Sequence, residues 1–99
     1  ALFVGPSDLA ASMGLLGQQN HPEVVDAVLR SIAAGRAAGK PVGVNAFVQA
    51  DAERYIAAGA SFVAVGADVA ILARQTEALV ETFAALAGGA AGAAPRSSY

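Results

Sequence analysis

The chain has 99 residues, of which 56% are hydrophobic and 14% charged, with a formal net charge of −2. That length holds one small domain, and the weakly negative balance gives no reason to expect nucleic acid or an anionic membrane as partner. The sequence has no cysteine, which excludes a disulfide framework and thiol chemistry and is compatible with a cytoplasmic protein. No unbroken apolar stretch of about 18 residues is present, and the first residues do not read as the basic n-region of a signal peptide.

Residues 1–4 form an apolar run that reads as a buried strand, stopped by Gly5-Pro6. Ser7 and Asp8 follow at once, and Leu9-Ala10-Ala11 open a helical turn. In parallel α/β folds, ligands collect outside the carboxyl ends of the strands, and functional side chains sit on the loops that follow. Asp8 therefore has two readings. It is an N-cap, accepting a bond from a backbone N–H two or three residues on. Or it is a metal-ligating carboxylate, with the N–H groups of Ser7 and Asp8 facing an anion. One carboxylate alone is thin ground for a metal, because hard divalent cations take several oxygen ligands. At the level of local pattern both readings stand.

Residues 9–20 read as a short helical turn and a loop, broken at Gly14 and Gly17, with Met13, Leu15 and Leu16 available for packing. His21-Pro22-Glu23 starts a helix, since Pro suits the first helical position and Glu the positive end of the dipole. Val25, Val28, Leu29 and Ile32 give it one predicted apolar stripe. Gly39 suits the C′ position, and Lys40-Pro41 ends the element. His21, the single histidine, reads as a cap or surface residue rather than a catalytic base.

Residues 41–47 form a second strand, with Val42, Val44 and Ala46 on one face and Gly43, Asn45 and Phe47 on the other. Asn45, near its carboxyl end, is either a satisfied core amide or part of a substrate pocket. A short helix over 51–58 carries Tyr55 and Ile56 on its apolar side and ends at Gly59. Residues 62–65 make a third strand, uninterruptedly apolar, as in a strand covered on both faces. Gly66-Ala67-Asp68 repeats the order strand, glycine, carboxylate, and here Asp68 reads as an N-cap. A last helix over 69–87 has Ile71, Leu72, Leu79, Val80, Phe83 and Leu86 as its apolar side. Residues 88–99 are a Gly/Ala-rich tail with little to bury, expected to be flexible, so that 1–87 forms the domain. The alternation of strands and helices predicts an α/β fold. Its three strands should be parallel, with their Asp8, Asn45 and Asp68 ends on one side.

Several of these stretches together carry a resemblance. Phe-Val-Gly-Pro-Ser-Asp-Leu-Ala at 3–10 is followed in order by Ser12-Met13-Gly14, His21-Pro22-Glu23-Val24 and Ala38-Gly39-Lys40. Gly59-Ala60-Ser61-Phe62-Val63-Ala64-Val65-Gly66-Ala67-Asp68 and Ser98-Tyr99 complete the set. The pattern is similar to the HpcH/HpaI family of class II pyruvate-dependent aldolases. The resemblance implies a phosphoenolpyruvate/pyruvate-type (β/α)8 TIM barrel, of which this chain would be the C-terminal three βα units. The run begins inside a strand and without Met, so we expect a piece of a longer polypeptide, inactive when isolated.

The resemblance also implies chemistry. Family members use a divalent cation (Mg, Mn or Co) as a Lewis acid in reversible aldol cleavage of 4-hydroxy-2-oxo acids to pyruvate and an aldehyde. Asp8 matches a metal ligand, and the Ser7 and Asp8 amides match those that hold the 2-oxo acid carboxylate. Most relatives have Ala where this chain has Ser7, but the amide is the group that serves. Asn45 matches a variable position near the aldehyde end of the pocket. The second metal ligand, the catalytic base and the carbonyl-polarising arginine match nothing in 1–99, and His21 does not correspond to the family's catalytic histidine. A cytoplasmic homo-oligomer is implied, with the final helix at a subunit contact. The rival readings are a citrate-lyase β-subunit-like enzyme acting on CoA thioesters, and a non-catalytic half-barrel scaffold.

Overall fold

The structure, a computed structural model, describes residues 1–88. In chain order it contains β1 (Leu2–Val4), α1 (Pro6–Ser12), α2 (Pro22–Ala37), β2 (Val42–Asn45), α3 (Gln49–Ala57), β3 (Phe62–Ala64) and α4 (Asp68–Leu86). These elements fall into two compact units, Ala1–Val65 and the segment from Gly66 onward. The flexible tail predicted at the C-terminus lies, from residue 89 on, outside the described residues.

The expected α/β architecture is present in the first unit. Its sheet is parallel, in the order β1-β2-β3. Leu2, Phe3 and Val4 stand beside Val42, Gly43 and Val44, and Gly43, Val44 and Asn45 stand beside Phe62, Val63 and Ala64. Parallel pairing puts the three carboxyl ends at one end of the sheet, with Asn45 as the last residue of β2 and Asp8 in the first turn of the helix that follows β1.

Helix boundaries follow from local chemistry. α1 starts at Pro6, three residues before the predicted turn, because proline's fixed φ and missing N–H suit the first helical position. α2 is capped by His21, whose Nδ1 accepts from the Glu23 N–H at 3.2 Å. It closes with the double bond pattern of a Schellman turn. Gly39 N–H donates to Arg36 O, Lys40 N–H donates to Gly35 O, and Gly39 takes the positive φ of 71° that this turn needs. α3 closes the same way at Gly59, with φ 104° and bonds to Ile56 O and Tyr55 O.

One face of the sheet is covered by α2 and α3. Val28 and Ile32 of α2, Val42 and Val44 of β2, Ala46, and Ala52 and Tyr55 of α3 form a single buried cluster. Two predicted apolar positions shift. The buried stripe of α2 is Val24, Val28, Ile32 and Gly35, with Val25 and Leu29 only half-buried, because the helix presents the i, i+4, i+8, i+11 row to the sheet. In α3 the inward pair is Ala52 and Tyr55, one turn apart, which leaves Ile56 exposed.

The opposite sheet face carries the row Phe3, Gly43, Phe62. The two rings flank the glycine, with centroids 6.0 Å apart and planes 25° apart, and both remain about half exposed, at 58% and 47%. β3 was expected to be covered on both faces. Among the described residues it is not: Phe62 is 47% exposed and Ala64 is exposed, while Val63 between them is half-buried.

In the second unit, α4 runs for 19 residues from Asp68, with Ala67 at the N-cap in extended conformation. The predicted N-cap role of Asp68 is therefore corrected by one position. Asp68 is the first helical residue, and its Oδ1 accepts from the Val69 N–H at 2.8 Å. Ile71, Leu72, Leu79, Val80, Phe83 and Leu86 are all exposed. Among the described residues no helix is long and apolar enough to cross a membrane.

Candidate functional site at the carboxyl end of the sheet

The turn after β1 is built by Gly5-Pro6. Gly5 is the N-cap of α1, with φ −101° and ψ 102°, and Asp8 is the third helical residue. This position removes the N-cap reading of Asp8: the capping residue is Gly5, and α1 has no side-chain cap bond. Asp8 instead adds negative charge to the first turn, where the helix dipole is positive. Its side chain folds back over Gly5, so that Oδ2 would lie 2.9 Å from a Cβ placed on that glycine. The carboxylate makes no hydrogen bond or ion pair among the described residues, and Asp8 is exposed. An acceptor with four lone-pair sites thus stands open to an incoming donor or cation.

Ser7 is exposed beside it, and neither the Ser7 nor the Asp8 N–H enters a backbone hydrogen bond. Both belong to the first turn, whose donors have no intrahelical partner.

Asn45 is the last residue of β2, half-buried, on the Phe3–Gly43–Phe62 side of the sheet. It lies one residue further toward the carboxyl end than Val44, whose partner Val4 directly precedes Gly5. The sheet therefore brings the start of the Asp8 turn and Asn45 to neighbouring positions on adjacent strands. The Asn45 amide has no hydrogen-bond partner among the described residues, so the core-amide reading lacks the satisfied bonds it requires.

His21 is occupied as the α2 cap, in agreement with its reading as a cap. Among the described residues no group of three or more His, Cys, Asp or Glu could enclose a metal. Asp8 can supply one oxygen-donor residue of a hard-cation site, whose remaining ligands would have to come from elsewhere.

One feature of the site escaped sequence reading. Gly5 reads as a strand stop, yet its backbone is extended and open to any residue. The available signal was a glycine three residues ahead of a carboxylate on a helical turn, the spacing that brings two residues onto one helix face.

A family model described as HpcH/HpaI aldolase/citrate lyase matches residues 1–75. The chain is 50% identical over 82 residues to a 5-keto-4-deoxy-D-glucarate aldolase of Salmonella arizonae, covering 83% of this chain and 32% of that protein. Identity and coverage are the same for the protein of that name from an Enterobacter species. Among solved structures, an HpcH/HpaI aldolase/citrate lyase family protein of Burkholderia cenocepacia superposes with a TM-score of 0.72 at 46% identity, covering 82% of this chain and 32% of that one. An HpcH/HpaI aldolase of Desulfitobacterium hafniense gives a TM-score of 0.77 at 27% identity, covering 96% and 36%. The chain thus spans about a third of the length of the proteins it matches.

Proposed function

The chain belongs to the HpcH/HpaI aldolase/citrate lyase family, and from that membership we propose that it supplies one wall of a metal-dependent aldolase site. In this reading the chain forms the C-terminal three βα units of a (β/α)8 barrel. The reaction is reversible cleavage of a 4-hydroxy-2-oxo acid to pyruvate and an aldehyde. Two relatives that carry aldolase names, each matched over 82 residues, support it.

The observation that carries the reading is Asp8. Its carboxylate stands at the carboxyl end of the sheet, exposed, and is used by neither a cap nor an ion pair. Asp8 would hold a divalent cation (Mg, Mn or Co) together with ligands from outside this chain. Such a cation supplies Lewis acidity toward the negative charge that develops on the substrate as the carbon–carbon bond breaks.

The residues of this chain do the rest of the binding. The Ser7 and Asp8 N–H groups donate to the substrate carboxylate. Asn45, one strand over, offers its amide to the hydroxyl or aldehyde end. The base that moves the proton and the arginine that polarises the carbonyl come from residues outside this chain. In the same reading the enzyme works in the cytoplasm as a homo-oligomer, with the apolar residues of α4 offered to a neighbouring subunit.

The test is Asp8→Ala in the full polypeptide encoded by the gene. Losing a metal ligand removes several kcal/mol of transition-state stabilisation, so kcat/KM for a 4-hydroxy-2-oxo acid should fall by at least about 10²-fold. Activity near wild type at saturating Mg²⁺ or Mn²⁺ would overturn the assignment.

A further inference from the structure

We infer that Gly5 is a positioning residue: its missing side chain is the space in which the Asp8 carboxylate rests. This rests on the reading of Asp8 as a metal ligand and extends it to the residue that aims the carboxylate.

The glycine is not demanded by the backbone. At φ −101° and ψ 102°, Gly5 is in the β region, where any L-residue fits. The Schellman glycines Gly39 and Gly59 differ, since both have positive φ. Hydrocarbon packing does not demand it either. Gly35 and Gly43 each lie against an apolar side chain, Val42 and Phe62 respectively. At Gly5 the three nearest atoms all belong to Asp8: Oδ2 at 2.9 Å, Cγ at 3.6 Å and Cβ at 3.7 Å from the place a Cβ would take. Among the described glycines, Gly5 alone has a carboxylate oxygen as its nearest neighbour.

A methyl group at position 5 therefore meets the free end of a flexible side chain. The backbone can stay where it is, while the carboxylate must shift away from its place over residue 5. The second strand–glycine–carboxylate turn provides the contrast. A Cβ at Gly66 meets only Ile71, at an ordinary 3.6 Å, and leaves Asp68 on its bond to the Val69 N–H. The two turns look alike in sequence, yet only the first uses its glycine to seat a carboxylate.

The consequence separates stability from ligation. Gly5→Ala loses some N-cap preference and gains unfolded-state restriction, two opposing effects of similar size. Tm should stay within about 3 °C of wild type. Mn²⁺ affinity should fall by about 10–100-fold, the usual cost of disturbing what orients a metal ligand.

The experiment titrates Mn²⁺ calorimetrically into the full polypeptide as wild type, Gly5→Ala, Gly66→Ala and Asp8→Ala, with Tm measured on each. The expected pattern is Asp8→Ala without measurable binding, Gly5→Ala weakened at unchanged Tm, and Gly66→Ala like wild type. If Asp8→Ala alone loses the metal and Gly5→Ala binds normally, the role of Gly5 is overturned while that of Asp8 stands. If Asp8→Ala binds normally, the Asp8 reading itself falls, and the role of Gly5 falls with it. A Tm loss of about 10 °C in Gly5→Ala would make Gly5 a structural residue and also overturn the inference.

Discussion

Gly35 sets how closely α2 approaches the sheet, and replacing it tests that packing. The residue is buried in the interior of α2, where Gly→Ala by helix propensity alone would stabilise by about 1 kcal/mol. A Cβ there, however, runs into Val42 Cγ2 and comes to 3.1 Å from Leu2 Cδ1. Val42 is fully buried, and its β-branched side chain has little freedom about χ1. It cannot turn away into solvent as a half-exposed residue could. Overpacking of this kind costs about 1–3 kcal/mol, so Gly35→Ala should be net destabilising by roughly 1 kcal/mol once the propensity gain is subtracted. Val42→Ala alone removes two methyl-sized groups, about 1.6 kcal/mol of transfer free energy before any cavity cost. In the double variant the new methyl at 35 enters the space left by Val42 Cγ2. The pair should therefore be more stable than the sum of its singles by about 1–2 kcal/mol. Urea unfolding of the full polypeptide, with midpoints compared at constant m, gives the cycle. Additivity within about 0.5 kcal/mol, or a Gly35→Ala variant stabilised by the full helix propensity, would refute this account of the α2–sheet contact.

Two further outcomes follow from named side chains. Burial first, and the neighbouring Asp51 second, raise the Tyr55 hydroxyl above its ordinary pKa. The folded state thus keeps this proton at pH values where the unfolded chain has released it. The contribution is whole below about pH 10 and is lost as pH climbs through the raised value. Tyr55→Phe should flatten the fall of the urea midpoint above about pH 9, and an unchanged alkaline slope would contradict the burial of that hydroxyl. His21→Ala removes the 3.2 Å cap bond to the Glu23 N–H and should cost about 0.5–1 kcal/mol, with the proposed aldol cleavage unchanged in the full polypeptide. A drop in kcat/KM of about tenfold or more without loss of fold would make His21 more than a cap.

The elements themselves were legible in the sequence because their signals are local. Pro22 after His21, Gly39 and Gly59 past their helices, and the apolar runs around Val42–Asn45 and Phe62–Ala64 each depend on a few neighbouring residues. Alternation along β2 also separated correctly the Val42/Val44/Ala46 face, which meets the helices, from the Gly43/Asn45 face. Where the sequence erred, the deciding partner was distant or the error was one of register. Val24 rather than Val25 is buried, and Ala52 rather than Ile56, because the rotation of a helix about its axis is set by the sheet it meets. Asp68 reads as a cap, and so does Asp8 in one of its two readings, since cap preference attaches to a residue type near a helix start. The caps are Gly5 and Ala67, one because Pro6 pulls the start of α1 forward.

The sequence by itself determined that three short apolar strands alternate with helices and that a carboxylate follows the first of them at once. Tertiary structure decided which of those residues come together. Parallel register put Gly5 and Asn45 on neighbouring strand ends, two positions 40 residues apart that no local rule connects. The fold of the turn laid Asp8 over Gly5, turning a residue that reads as a strand stop into the space that holds a carboxylate. The physical reason is range. Backbone preference and capping act over about one helical turn, whereas the contact that gives a side chain its orientation is known only once the chain has folded.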